Sequence, residues 1–224
     1  MCDCYQAARR LWEVEGIHTV SVDEMTGIQA LERIAPTKPM RPGEVELVEF
    51  EYQRNGTQCL IGNFEVATGE VISPTVQKTR TEEDFAKHIA RTVATDLEAG
   101  WIFVTDNLTI HCSESLVQYV AEACGVEDDL GKKGIRGVLK SVATRKKFLM
   151  DCDHRIRFVY VPKHTSWLNQ IEIWFSILVR RVIKRGNFTS ELDLREKILA
   201  FIEYFNRTLA KPFKWTYTGR PLKE

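Results

Sequence analysis

The run WIFVTD at 101–106 is almost continuously apolar and carries no alternation of polar and apolar positions. Such a strand has both faces against protein, so it belongs in a sheet with helices on each side. A second apolar strand, RIRFVYVP, occupies 155–162 and is stopped by Pro162. A layered α/β domain is therefore expected.

The remaining segments fit that expectation. Residues 17–23, IHTVSVD, alternate and are rich in β-branched side chains, as in a strand that ends at Asp23. The proline-punctuated stretch 36–44 reads as loop. Three extended segments follow at 45–52, 57–67 and 70–77, with Asn55-Gly56 and Thr68-Gly69 as turns of an antiparallel meander. Thr81 followed by Asp84 marks a helix start. Phe85, Ile89, Val93 and Leu97 share a face of that helix, and Gly100 ends it. A helix over 113–125 is capped by Ser113 and stopped by Gly125. A long helix is predicted over 166–184, a break at 187–190 and a last helix over 191–208.

The 224 residues suit one domain with a substantial core. No apolar run is long enough to span a bilayer, and the first residues are too polar for a signal peptide, so a cytoplasmic protein without a membrane partner is expected. Six cysteines lack CxxC pairing, which argues against structural zinc. The formal net charge of zero conceals an asymmetry: residues 1–130 hold 10 basic and 23 acidic groups, residues 131–188 hold 14 basic and 3 acidic. A basic stretch of that density suits a polyanion, although a solvated charged face has the same composition.

Three acids stand in distinctive segments: Asp23 in VSVDEMTG, Asp106 in VTDNLTIH and Glu172 in TSWLNQIEIWF. The predicted element order brings the first strand, the strand after the first long helix and a late helix to one end of the sheet, as in a ribonuclease H-like fold. Carboxylates are hard oxygen ligands suited to Mg²⁺ or Mn²⁺, and two such ions held ~3.5–4 Å apart can activate an attacking oxygen and stabilise a leaving one. Other readings stay open. Asp23 or Glu24 could be a surface residue, Asp106 could start an Asx turn, and Glu172, at the edge of a buried stripe, could be ion-paired. Glu24, Asn107 and His111 are candidates to support the ligands from behind. The residues expected to contact DNA are Lys132, Lys133, Arg136, Lys140, Arg145, Lys146, Lys147 and Lys163, together with His164 and Asn169.

Across nearly the whole chain these segments resemble the IS630/Tc1/mariner superfamily of transposases, which carry an Asp, Asp, Glu triad. Asp-Asn after an apolar strand, and Trp-Leu-Asn-x-Ile-Glu after a Pro-Lys-His turn, resemble the bacterial IS630 branch in particular. The resemblance implies a mixed central sheet flanked by helices, catalysis by Asp23, Asp106 and Glu172 with two Mg²⁺ or Mn²⁺ ions, and cleavage and strand transfer on double-stranded DNA by a homodimer.

The chain departs from that pattern twice. Asp106 and Glu172 are 66 positions apart, about twice the family's usual interval, which predicts an insert at 126–154 before the last strand. No helix-turn-helix domain precedes Asp23, so residues 1–16 are expected to be the remnant of a linker helix ahead of a catalytic domain at 17–224, in a truncated product. Two other classes remain at this stage: an inactive DNA-binding or regulatory fragment that pairs with full-length transposase, and another ribonuclease H-like nuclease.

Overall fold

The computed structural model describes residues 1–163 and 165–217. Among them is a five-stranded sheet in the order β3-β2-β1-β4-β5. Its strands are β1 (Ile17–Arg33), β2 (Tyr52–Glu65), β3 (Thr75–Gln77), β4 (Gly100–Thr105) and β5 (Ile156–Tyr160). The first three pair antiparallel, while β4 and β5 run parallel to β1. This mixed sheet is the ribonuclease H-like arrangement expected from the order of elements.

Helices cover both faces, as the apolar strands require. On one side α2 (Glu82–Val93), α3 (Glu114–Ala123) and α4 (Val142–Leu149) enclose a core of Phe85, Ile89, Leu116, Val120 and Leu149 against Val20, Val22, Phe103 and Phe158. On the other, α1 (Cys2–Glu15), α5 (Gln170–Leu178) and α6 (Glu191–Thr208) set Tyr5, Ile171, Trp174, Phe175 and Ile198 against Ile28, Leu60 and Phe64. The predicted caps form: Thr81 and Asp84 make a reciprocal capping box on α2, and the Ser113 hydroxyl accepts the Leu116 N–H of α3. Residues 1–16, expected as a linker remnant, supply α1, which buries Tyr5, Ala8 and Leu11. Among the described residues no helix is long and apolar enough to cross a membrane.

Several local expectations are corrected. The first strand does not end at Asp23 but runs 17 residues, to Arg33. Asn55-Gly56 is no hairpin turn; it lies within β2, where Gly56 (φ 111°) takes up an extra residue opposite β1. A matching extra residue sits in β1 between Met25 and Ile28, at Gly27 (φ 65°). Of the strand predicted at 45–52, only Tyr52 joins the sheet, as the start of β2; residues 45–51 are loop, with Leu47 making one isolated bridge to Lys38. Helix α2 stops at Val93, which leaves Leu97 exposed, and Gly100 opens β4. The helix expected over 166–184 is broken near its start: a tight turn at 166–168 is followed by extended Asn169 (ψ 115°), and the helix proper begins at Gln170. It ends in a wider turn, where the Lys184 N–H reaches the Val179 carbonyl at 2.8 Å.

Candidate active site

The last backbone pair between β1 and β4 joins Ser21 to Val104. Just beyond it, at the carboxyl end of β4, the three acids come from separate elements. Alternation along β1 sends Val20 and Val22 into the α2/α3 core and turns Ser21 and Asp23 towards α5. Ser21 then does for α5 what a cap residue usually does, because its hydroxyl accepts the Ile171 N–H at 2.9 Å and donates to Asn169 Oδ1. Asn169, fully buried, donates to the Val22 carbonyl at 2.9 Å and to Asp23 Oδ2 at 3.2 Å. The first turn of α5, which carries Glu172, is thus tied to the strand that carries Asp23.

Asp23 is 7% exposed, and Glu24 N–H donates to its Oδ1 at 2.8 Å. Burial, aided by the negative charge of Asp106, pushes its carboxyl up to about 7. Burial and Asp106 likewise raise Glu172, whose half-buried carboxylate has no donor or ion-pair partner among the described residues. Asp106 moves the other way. Burial favours its neutral form, but hydrogen bonds from His111 and from Leu108 N–H, 2.8 Å from Oδ1, outweigh burial and lower it. The Leu108 bond is the Asx turn foreseen as the alternative role of Asp106, and it coexists with a place at the site.

His111 is fully buried beneath this corner. Its Nδ1 lies 2.7 Å from Asp106 Oδ1 and 2.8 Å from Thr105 Oγ1, and its Nε2 lies 2.9 Å from Glu24 Oε1. Burial disfavours its cation, yet the two carboxylates prevail and raise it to about 9. Asn107, the third expected supporting residue, donates to the Val161 carbonyl and accepts from Lys146 Nζ. A groove of about 400 Å³ beside Asp106 is lined by Asn107, Leu108, Val161, Pro162, Lys163 and Ser166.

The residues predicted to meet DNA divide into groups. Arg145 and Asn169 face inward, which corrects that expectation. Arg145, 7% exposed, donates from Nε to the Cys112 carbonyl at 2.6 Å and from Nη1 to that of Leu139 at 3.2 Å. Asn169 serves Asp23. Lys133 lies 3.6 Å from both Glu82 and Glu114, and Arg136 is held 2.6 Å from Asp129. Lys146 packs 4.3 Å from the centre of the Tyr160 ring. Lys132, Lys140, Lys147 and Lys163 are exposed and have no ion-pair partner among the described residues. His164 lies outside the described residues.

Carboxylates at this end of a mixed sheet define a class of proteins, and the family comparison agrees with it. The profile of the DDE superfamily endonucleases matches residues 18–195. The chain belongs to that family. Among solved structures it is similar to the Mos1 strand transfer complex, at 11% identity over 92% of this chain and 54% of that one, with a TM-score of 0.46. It is also similar to the Mos1 mariner paired end complex with Mn, at 13% identity over 95% and 62% of the two chains, with a TM-score of 0.33. The chain thus spans 54% to 62% of the length of those proteins. No curated protein matches it.

Proposed function

We propose that this is the catalytic domain of a DDE transposase of the IS630/Tc1/mariner type, in which Asp23, Asp106 and Glu172 hold divalent cations for cleavage and strand transfer on double-stranded DNA by a homodimer. Family membership supports the class, and the motif resemblance around Asp106 and Glu172 supports the branch. The observation that carries the reading is the electrostatics of the corner. Asp23 and Glu172 are both raised by burial beside Asp106, and Glu172 has no protein donor among the described residues. Carboxylates that raise one another in this way are stabilised in their ionised form by a cation held among them. Their hard oxygens fit Mg²⁺ or Mn²⁺.

Bound there, two such ions would supply Lewis-acid stabilisation of an in-line displacement at phosphorus. The protein's own part is to place the oxygens. Asn169 and the Glu24 N–H fix Asp23, Leu108 N–H and His111 fix Asp106, and Ser21 fixes the turn carrying Glu172. Exposed Lys132, Lys140, Lys147 and Lys163 attract the phosphate backbone, so binding weakens steeply with salt. In the first step a water oxygen attacks phosphorus and the P–O3′ bond breaks, freeing a 3′-hydroxyl. In the second, that 3′-hydroxyl loses its proton and attacks a target phosphorus, forming a new P–O3′ bond while the target's own P–O3′ bond breaks and its 3′-oxygen leaves as a hydroxyl.

The test is strand cleavage and strand transfer on a supercoiled plasmid carrying the element's ends, with Mg²⁺ or Mn²⁺, for wild type, Asp106→Asn and Glu172→Gln. Wild type is expected to nick and join while both variants fall to background. Equal cutting by all three would remove the triad assignment.

A further inference from the structure

Past Ser21 and Val104 the backbones of β1 and β4 no longer pair with each other, yet Asp23 and Asp106 both lie two residues beyond that point. Side chains take over where the ladder stops. Glu24, the residue after Asp23, accepts from His111 Nε2 at 2.9 Å, and His111 Nδ1 reaches Asp106 Oδ1 at 2.7 Å. The imidazole thus stands between two carboxylates, one at each ring nitrogen. Nδ1 also lies 2.8 Å from Thr105 Oγ1. Asp106 Oδ1 meets His111 on one side and accepts from the Leu108 N–H at 2.8 Å on the other. Its Oδ2 has no protein donor among the described residues.

Donor atoms of Asp23, Glu24 and His111 also lie within 4.8 Å of one another, which on distance alone could pass for a metal site. The ring chemistry argues otherwise. Both nitrogens of the fully buried ring already face protein oxygens of Glu24, Asp106 and Thr105, so neither points into open space where a cation could sit. Phe85 packs against the ring, 4.4 Å between centroids, and fixes its plane.

We propose that the Glu24–His111–Asp106 bridge sets the separation and rotamers of Asp23 and Asp106 for a divalent cation, with His111 a positioning residue that touches neither metal nor DNA. The proposal rests on the metal-centre reading above. It assigns Glu24 a purpose of its own: one residue along β1 from a ligand and on the opposite face, it anchors the imidazole that anchors the second ligand. Outer partners of this kind typically change metal affinity about 10–100-fold.

The test is Mn²⁺ binding to the full chain, with free ion counted by electron paramagnetic resonance and folding checked by thermal melting. Wild type should bind and Asp106→Asn should lose binding, which tests the centre itself. His111→Gln and Glu24→Met should each weaken binding about 10–100-fold, whereas Glu24→Gln, which still offers an acceptor to Nε2–H, should stay within about threefold of wild type. If His111→Gln does not fold, the two Glu24 variants decide the matter. Wild-type affinity in both His111→Gln and Glu24→Met, or in Glu24→Met alone where His111→Gln is unfolded, overturns the bridge and leaves the centre standing. Nitrogen hyperfine coupling to bound Mn²⁺ that disappears in His111→Gln would make His111 a ligand and also overturn it. No binding by wild type removes the centre and the bridge together.

Discussion

Residues 34–51, between β1 and β2, and residues 126–154, between α3 and β5, both leave the sheet for long excursions, yet only the second gives apolar side chains to the core. The first exposes them: Phe50 is 81% and Met40 75% accessible. Its backbone is tied chiefly to itself, through a two-way pairing of Lys38 with Leu47 and another of Arg41 with Glu44. The second is richer in charge but reaches inward. Leu139 and Leu149 join the α2/α3 core, and buried Arg145 satisfies two carbonyls, one of them the residue after His111. Lys146, its neighbour, contacts Asn107 beside Asp106. Polarity alone would have ranked the two regions the other way; burial follows the surface within reach of a segment.

If the contrast is real, equivalent changes in the two regions must have unequal costs. Leu149→Ala, which empties a fully buried position, should lower unfolding free energy by about 3 kcal/mol in urea titrations. A loss under about 1 kcal/mol would mean the 126–154 segment is only loosely attached. Arg145→Met should cost about 2 kcal/mol, because the carbonyls of Cys112 and Leu139 lose a charged donor. It should also slow cleavage, since one of those carbonyls adjoins His111.

Acid offers a probe of the shared core. His88 is buried against Thr75 and pushed down to about 3 by burial, with Arg91 adding to the shift. Its unfolded pKa is near 6.5, so between those values the unfolded chain binds the extra proton. The resulting stability is complete above about 6.5 and is lost as pH falls towards 3, with a slope up to about 1.4 kcal/mol per pH unit. His88→Asn should flatten that part of the profile. A 126–154 segment that belongs to the core should gain protease sensitivity in step with acid unfolding, while the 34–51 loop is cut throughout. The smallest effect is expected for Phe50→Ala, within about 0.5 kcal/mol of wild type. A larger cost there would show that the loop is packed after all.

Much of the fold was legible because local signals agreed: the Thr81 capping box, the Ser113 cap, the apolar β4 and the 191–208 helix each form where patterning put them. The segment 45–52 misled because alternation also describes a strand with nothing to pair with. Asp23 looked like a strand end because a carboxylate inside a covered strand is costly unless something meets it. The three acids could be brought to one corner by element order, but their role was suggested by family resemblance and not by spacing. The inward turn of Arg145 and Asn169 was not legible, since a basic or amide side chain looks the same in sequence whether it meets phosphate or a buried carbonyl. The Glu24–His111 contact joins positions 87 apart and left no pattern at all.

The extra residue at Gly27 sets the parity of the sheet. Before it, even-numbered Val20 and Val22 enter the α2/α3 core; after it, even-numbered Ile28 and Ala30 enter the opposite one. β1 thus contributes to two cores with one uninterrupted strand, because the bulge absorbs one residue of the alternation. Regular alternation over the same count of residues would turn Ile28 and Ala30 towards the α2/α3 side, so the positive φ of Gly27, which a side chain there would strain, is what lets one strand serve both cores.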